Sequence, residues 1–137
     1  MITVHLDVTP RWTYPDRRVD AVRGCVAIER GPLVYCFEQV DQLGGARLDD
    51  LVIQPGGVLG ERPVTLDGIG QTIEVTAQGV RRPPAPPVQA GPPQAATPTA
   101  SFRPAASSAS EVTAIAIPYL QWDNRDGGPM RVWMPRG

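Results

Sequence analysis

The stretch Ala116-Ile117-Pro118-Tyr119-Leu120-Gln121-Trp122-Asp123-Asn124-Arg125-Asp126-Gly127-Gly128-Pro129-Met130-Arg131-Val132-Trp133-Met134-Pro135 decides the fold class. Two apolar, strand-like runs flank a loop rich in turn residues. The first run extends back to Val112, and the second spans Met130–Met134. The simplest reading pairs them as an antiparallel closing hairpin. On the second run Met130, Val132 and Met134 share one face and Arg131 and Trp133 the other, because side chains alternate along a strand. With the Met-Val-Met face inward, Trp133 looks out towards a loop or another domain.

Working outward, every other ordered-looking segment is also strand-like. Cys25-Val26-Ala27-Ile28-Glu29-Arg30 and Leu33-Val34-Tyr35-Cys36-Phe37 flank Gly31-Pro32, a turn or bulge signal. The second of these is a continuous β-favouring apolar run, expected to be buried on both faces. If Gly31-Pro32 turns a hairpin, cross-strand partners sum to about 63 in residue number. Cys36 then faces Ala27, and the two cysteines are too poorly placed to bond, so both are expected as buried free thiols.

Leu51-Val52-Ile53 is a short apolar piece in an otherwise loop-like span from Asp41 to Gly60. Val64–Leu66 and Thr72–Ala77 are strands about the Asp67-Gly68 turn. Ile2, Val4, Leu6 and Val8 alternate with polar residues, the period of a half-buried strand. No stretch carries a helical apolar stripe. The expected class is all-β, an antiparallel, jelly-roll-like β-sandwich. Half of the sixteen prolines fall in 81–110, among Ala, Ser, Gln and Thr. That composition reads as a long, flexible Pro/Ala-rich loop joining two strands.

Bulk properties exclude several functions. The formal charge of −1 leaves no electrostatic footprint for nucleic acid or an anionic membrane. All thirteen basic residues are arginine. No apolar run approaches the roughly 20 residues of a membrane span. The N-terminus lacks the pattern of a signal peptide, so a cytoplasmic location is expected. Two Cys and one His, His5, are too few for a clustered zinc site.

Three carboxylate pairs merit weighing as an acid/base dyad: Glu29 with Glu38, Asp49 with Asp50, and Asp123 with Asp126. Adjacent loop acids are solvated by default, and Asp suits turns, so none is assigned catalysis. The aromatic set offers the recognition surface instead. A sugar face can stack on an exposed indole. Candidate carbohydrate or domain contacts are Tyr119, Trp122, Asn124, Arg125 and Trp133. The competing expectation is that the tryptophans close the sandwich core.

Two motifs carry a family resemblance. Arg23-Gly24 through Ile28-Glu29-Arg30-Gly31-Pro32-Leu33-Val34-Tyr35-Cys36-Phe37-Glu38 resembles the RG-x-V-A-L-x-RGPLVYCLE run of glycoside hydrolase family 127, the β-L-arabinofuranosidase-like enzymes. The terminal Ala116-Ile117-Pro118-Tyr119, Trp122, Asn124-Arg125, Gly128, Met130, Val132-Trp133 and Pro135 are similar to that family's AIPYYAWANRGPGPMRVWLP ending. Phe102-Arg103-Pro104 looks like its L-Y-R-P segment.

The resemblance implies a catalytic (α/α) barrel preceding the sandwich domains, with an acid/base Glu and a cysteine–zinc cluster inside the barrel. None of those positions is matched here. The chain is expected to hold no catalytic or metal residue and no cofactor of its own, zinc belonging to the family's catalytic domain. Cys36 lies in the sandwich motif and takes no catalytic role.

Residues 1–18 are expected to be a remnant or edge of a preceding β-sandwich, and 19–137 the C-terminal sandwich domain, so that the chain reads as a fragment or split gene product. The expected function is a non-catalytic accessory domain packing against the barrel in cis or trans. The alternatives are a stand-alone carbohydrate-binding module, or a structural domain that self-associates through an exposed edge strand.

Overall fold

In the computed structural model, which describes residues 1–82, 109–125 and 127–137, the ordered elements are strands and short 3-10 turns. The strands are β1 (Pro10–Thr13), β2 (Cys25–Arg30), β3 (Leu33–Glu38), β4 (Leu51–Ile53), β5 (Gly60–Leu66), β6 (Gly70–Arg81), β7 (Ser110–Pro118), β8 (Met130–Arg131) and β9 (Met134–Pro135). They form one antiparallel sheet in the order β1-β2-β3-β7-β6-β4, with β5 on β6, β8 on β3 and β9 on β2. The class is all-β, as expected.

The hairpin register agrees with the sequence reading: Glu29 faces Val34 and Arg30 faces Leu33. Gly31 takes φ 54° in the turn, a left-handed conformation that glycine adopts without steric penalty. The two arms then diverge. Cys36 pairs with Ile117 of β7 rather than with Ala27, and Cys25 pairs with Pro135 of β9. Both cysteines are free; Cys36 is buried, whereas Cys25 is only half-buried.

The splayed arms explain why the closing hairpin differs from expectation. Met130–Met134 does not form one strand against β7. It bends at Val132–Trp133, so that β8 pairs with Phe37 and Glu38 at the far end of β3. β9 then pairs with Cys25 and Val26 at the far end of β2. One segment thus fills the gap between the arms. The bend breaks the alternation: Met134 is buried, Met130, Val132 and Trp133 are half-buried, and Arg131 is exposed.

β7 instead pairs with β3 and with β6, the latter down to Arg81 opposite Ser110. Those two residues bracket the Pro/Ala-rich stretch, whose body, Phe102-Arg103-Pro104 included, lies outside the described residues. β5 and β6 form the hairpin about Asp67-Gly68, with Leu66 opposite Gly70.

Alternation places Val26, Ile28, Tyr35, Phe37, Ile53, Val75, Ala77, Ala114, Ala116 and Met134 in one buried cluster. Residues from β2, β3, β4, β6, β7 and β9 can share a core only if the sheet curls around it. Closure is visible where the Gly137 N–H donates to Ile53 O at 2.9 Å, joining the C-terminus to β4. Each large apolar side chain taken fully from water contributes about 1.5–3 kcal/mol.

One further expectation needs correction. The alternating stretch Ile2–Val8 is not a strand: residues 1–9 pair with no strand among the described residues and are exposed. Alternation makes a strand competent, but a strand also needs an edge, and the edge of β2 is taken by β1, with Pro10 opposite Arg30. β1 itself has no clear sequence signal. Yet Trp12 on it packs against the core, with Nε1–H donating to Gly57 O at 3.4 Å.

Candidate functional site

The second face of β3 and β7 positions the site. Cys36 and Ile117 are cross-strand partners there, and both are buried, although neither belongs to the main core. Period two then puts Glu38 on the same face as Cys36. Glu38 is only 5% exposed, so its carboxylate must find partners in the loops that cover it.

Arg125 supplies them. Its guanidinium bonds to Glu38 and also donates to both oxygens of Asp41, at 2.5 and 2.7 Å. The Asp123 N–H adds a donor to Glu38 Oε1 at 3.2 Å, and Asp123 turns the chain at φ 60°. The Arg125 side chain is 15% exposed and its Nε is buried without a hydrogen-bond partner among the described residues. The Asp41 carboxylate, and then Glu38, hold the guanidinium proton more firmly than usual and raise its pKa.

Around this triad lies a shell of amide contacts. Gln42 Nε2 donates to Glu38 O at 2.8 Å and to Ile115 O at 2.9 Å, while its Oε1 accepts from Ile115 N–H at 3.1 Å. Gln39 N–H donates to Pro129 O at 2.9 Å and pins the far end of the loop. Thr72 Oγ1–H donates to Gln121 Oε1 at 2.6 Å.

On this braced base the loop presents its aromatics. Tyr119, at the start of a 3-10 turn (Tyr119–Gln121), and Trp122 just after it stack with centroids 6.1 Å apart and planes at 13°. Both are exposed, Tyr119 by 45% and Trp122 by 38%, and Leu120 between them by 66%. Asn124 Nδ2 donates to Trp122 O at 3.1 Å.

Four of the five sequence-proposed contact residues are thus brought together: Tyr119, Trp122, Asn124 and Arg125. Trp133 is half-buried at the bend between β8 and β9. Trp122 does not close the core. Sequence reasoning missed Asp41 and Gln42, and weighed Glu38 only as a possible dyad partner of Glu29, not as a partner of Arg125. A charged residue ending an apolar β-run was the signal available for Glu38.

Three of the weighed carboxylates are engaged otherwise. Glu29 pairs with Arg11, Glu38 with Arg125, and Asp49 with Arg131 at 2.6 Å, while Asp126 lies outside the described residues. Burial, helped by Glu38 and Asp41, pushes the Cys36 thiol up to about 12, so it stays protonated at neutral pH. Zinc binds thiolate, and among the described residues no group of three or more His, Cys, Asp or Glu is placed to hold a metal. The residues present do not fit the zinc site of the resemblance.

Residues 10–135 match the family model described as "Glycoside hydrolase family 127 C-terminal domain". The chain belongs to this family. It is 33% identical over 141 residues to the non-reducing end β-L-arabinofuranosidase of Bifidobacterium longum subsp. longum, covering 98% of this chain and 19% of that protein. Its fold is similar to part of a crystal structure of a GH127 β-L-arabinofuranosidase from Geobacillus stearothermophilus T6, with TM-score 0.71 and 28% identity over 93% of this chain and 18% of that one. A solved glycoside hydrolase is similar at TM-score 0.72 and 26% identity, over 96% of this chain and 20% of that chain. The chain therefore spans about a fifth of the length of these relatives.

Proposed function

We propose that this domain is the non-catalytic accessory domain of a β-L-arabinofuranosidase-like enzyme, and that the Tyr119–Pro129 loop packs against the catalytic barrel in cis or in trans. One observation carries the reading: a stacked aromatic pair is turned to solvent while the base beneath it is locked by a buried arginine between two carboxylates. Burying a charged triad is expensive, and here it fixes the geometry of the exposed aromatic loop. Large aromatics on an ordered support are what interface centres are built from. Among the described residues, the two buried carboxylates of the site, Glu38 and Asp41, are committed to Arg125.

The test is hydrolysis of an aryl β-L-arabinofuranoside by the purified chain, with and without added zinc. The expected rate equals that of buffer alone, and zinc-dependent turnover by the chain would end the proposal. A second reading, a carbohydrate-binding module, draws on the open indole of Trp122. Saturable binding of L-arabinose oligosaccharides, lost on Trp122→Ala, would favour it over docking.

A further inference from the structure

A second constellation lies away from the aromatic loop. The chain leaving β1 and the chain entering β2 enclose a cleft of about 750 Å³, within the range of small-molecule sites. Three arginines line it, Arg17, Arg23 and Arg136, beside Tyr14 and the half-buried Cys25.

These charges are unevenly spoken for. Arg23 pairs with Asp20. Among the described residues, the one side-chain carboxylate lining the cleft is that of Asp16, which Arg18 engages through two donors at 3.0 and 2.7 Å. Those hydrogen bonds hold the Asp16 carboxyl below its ordinary value, so it stays ionised and occupied. Arg17 and Arg136 form no ion pair among the described residues.

Arg136 is also pre-positioned. Its N–H donates to Gly24 O at 3.0 Å, its backbone bridges to Ile53, and its guanidinium lies 5.3 Å from the Tyr14 ring centroid. A cation fixed by backbone and ring loses little freedom on meeting an anion. Arginine's planar fork suits carboxylate and phosphate oxygens alike.

We propose that this cleft is a binding site for a small organic anion, a carboxylate- or phosphate-bearing molecule of about one or two sugar rings, held by Arg17, Arg23 and Arg136 against the Tyr14 ring. This assignment stands independently of the docking role of the aromatic loop. Tyr14, half of whose surface is open, supplies an apolar face for the ligand's C–H groups. Cys25 lies in the same cleft, so an occupant shields it from reagents.

The experiment uses the full chain at constant ionic strength, with D-glucuronate, inorganic phosphate and neutral D-glucose as probes. Calorimetry reads binding, and mass spectrometry of the Cys25 peptide reads the rate of alkylation by iodoacetamide. At least one anion should bind saturably, with Kd at or below about 1 mM, and slow Cys25 alkylation about tenfold, while glucose does neither. Glucuronate alone would mark a carboxylate ligand, phosphate alone a phosphate ligand, and both a site that reads the anion only. Arg17→Ala, on an exposed segment, and Arg136→Ala should each weaken binding by about tenfold, the loss of a charge-assisted contact. Arg47→Ala, outside the cleft, should leave binding unchanged. The proposal fails if neither anion saturates or shields Cys25 in the wild-type chain. It fails equally if Arg47→Ala weakens binding as much as Arg17→Ala.

Discussion

Replacing Arg125 with alanine strips the only cation, among the described residues, that pairs with two carboxylates the fold keeps out of water. The side chains of Glu38 and Asp41 are 7% and 10% exposed, so solvent does little to replace the lost partner. Three charge-assisted hydrogen bonds disappear, one to Glu38 and two to Asp41. Breaking a buried pair by removing one member costs about 3–5 kcal/mol, mostly from the charge left behind. The triad spans 87 residues of chain between Glu38 and Arg125, so the loss also frees the loop that carries the aromatics.

Urea unfolding should show Arg125→Ala less stable by about 3–5 kcal/mol with an unchanged m-value. Neutralising the abandoned acid should restore part of this, so Arg125→Ala/Glu38→Gln should be more stable than Arg125→Ala. Near-UV circular dichroism should lose the Tyr119–Trp122 contribution in the single variant. A cost below about 1 kcal/mol, typical of an exposed ion pair, would refute the reasoning, as would a double variant less stable than the single one.

Further predictions rest on the same geometry. Gln42→Ala leaves Ile115 N–H and two carbonyls without partners in a buried setting, and chemical denaturation should register a loss of about 2–3 kcal/mol. In native buffer iodoacetamide should label Cys25 and spare Cys36, with both labelled in denaturant; equal native rates would contradict the buried assignment. The folded Cys36 thiol titrates near 12, above its unfolded value, so the folded state binds more protons over the interval between them. Its contribution to stability is therefore complete below about pH 8.5 and should fall as pH rises towards 12, which thermal melts across that window would follow.

Local features were legible in the sequence, and non-local ones were not. The β-branched and aromatic runs at Cys25–Arg30, Leu33–Glu38 and Val112–Ile117 declare strands, and Gly31-Pro32 sets a two-residue turn whose register follows by counting. Nothing local says that the arms splay, because divergence depends on which strands later compete for each edge. That competition also broke Met130–Met134 in two and left Ile2–Val8 without an edge. β1 was masked by its flanking prolines, and its place emerges only from pairing with β2. Within the site, Tyr119, Trp122, Asn124 and Arg125 were legible as an aromatic loop. What Arg125 does was not, since its partners lie more than eighty residues away and periodicity carries no information about such pairs.

Docking of the aromatic loop is the central claim, and it is tested most directly by sedimentation velocity. The purified chain is mixed with the catalytic barrel of a family 127 enzyme lacking its own C-terminal domain. A one-to-one complex should form with the wild-type chain and weaken at least tenfold for Trp122→Ala, the effect of removing an interface anchor worth about 1.4 kcal/mol or more. No complex, or one indifferent to Trp122→Ala, would contradict the account.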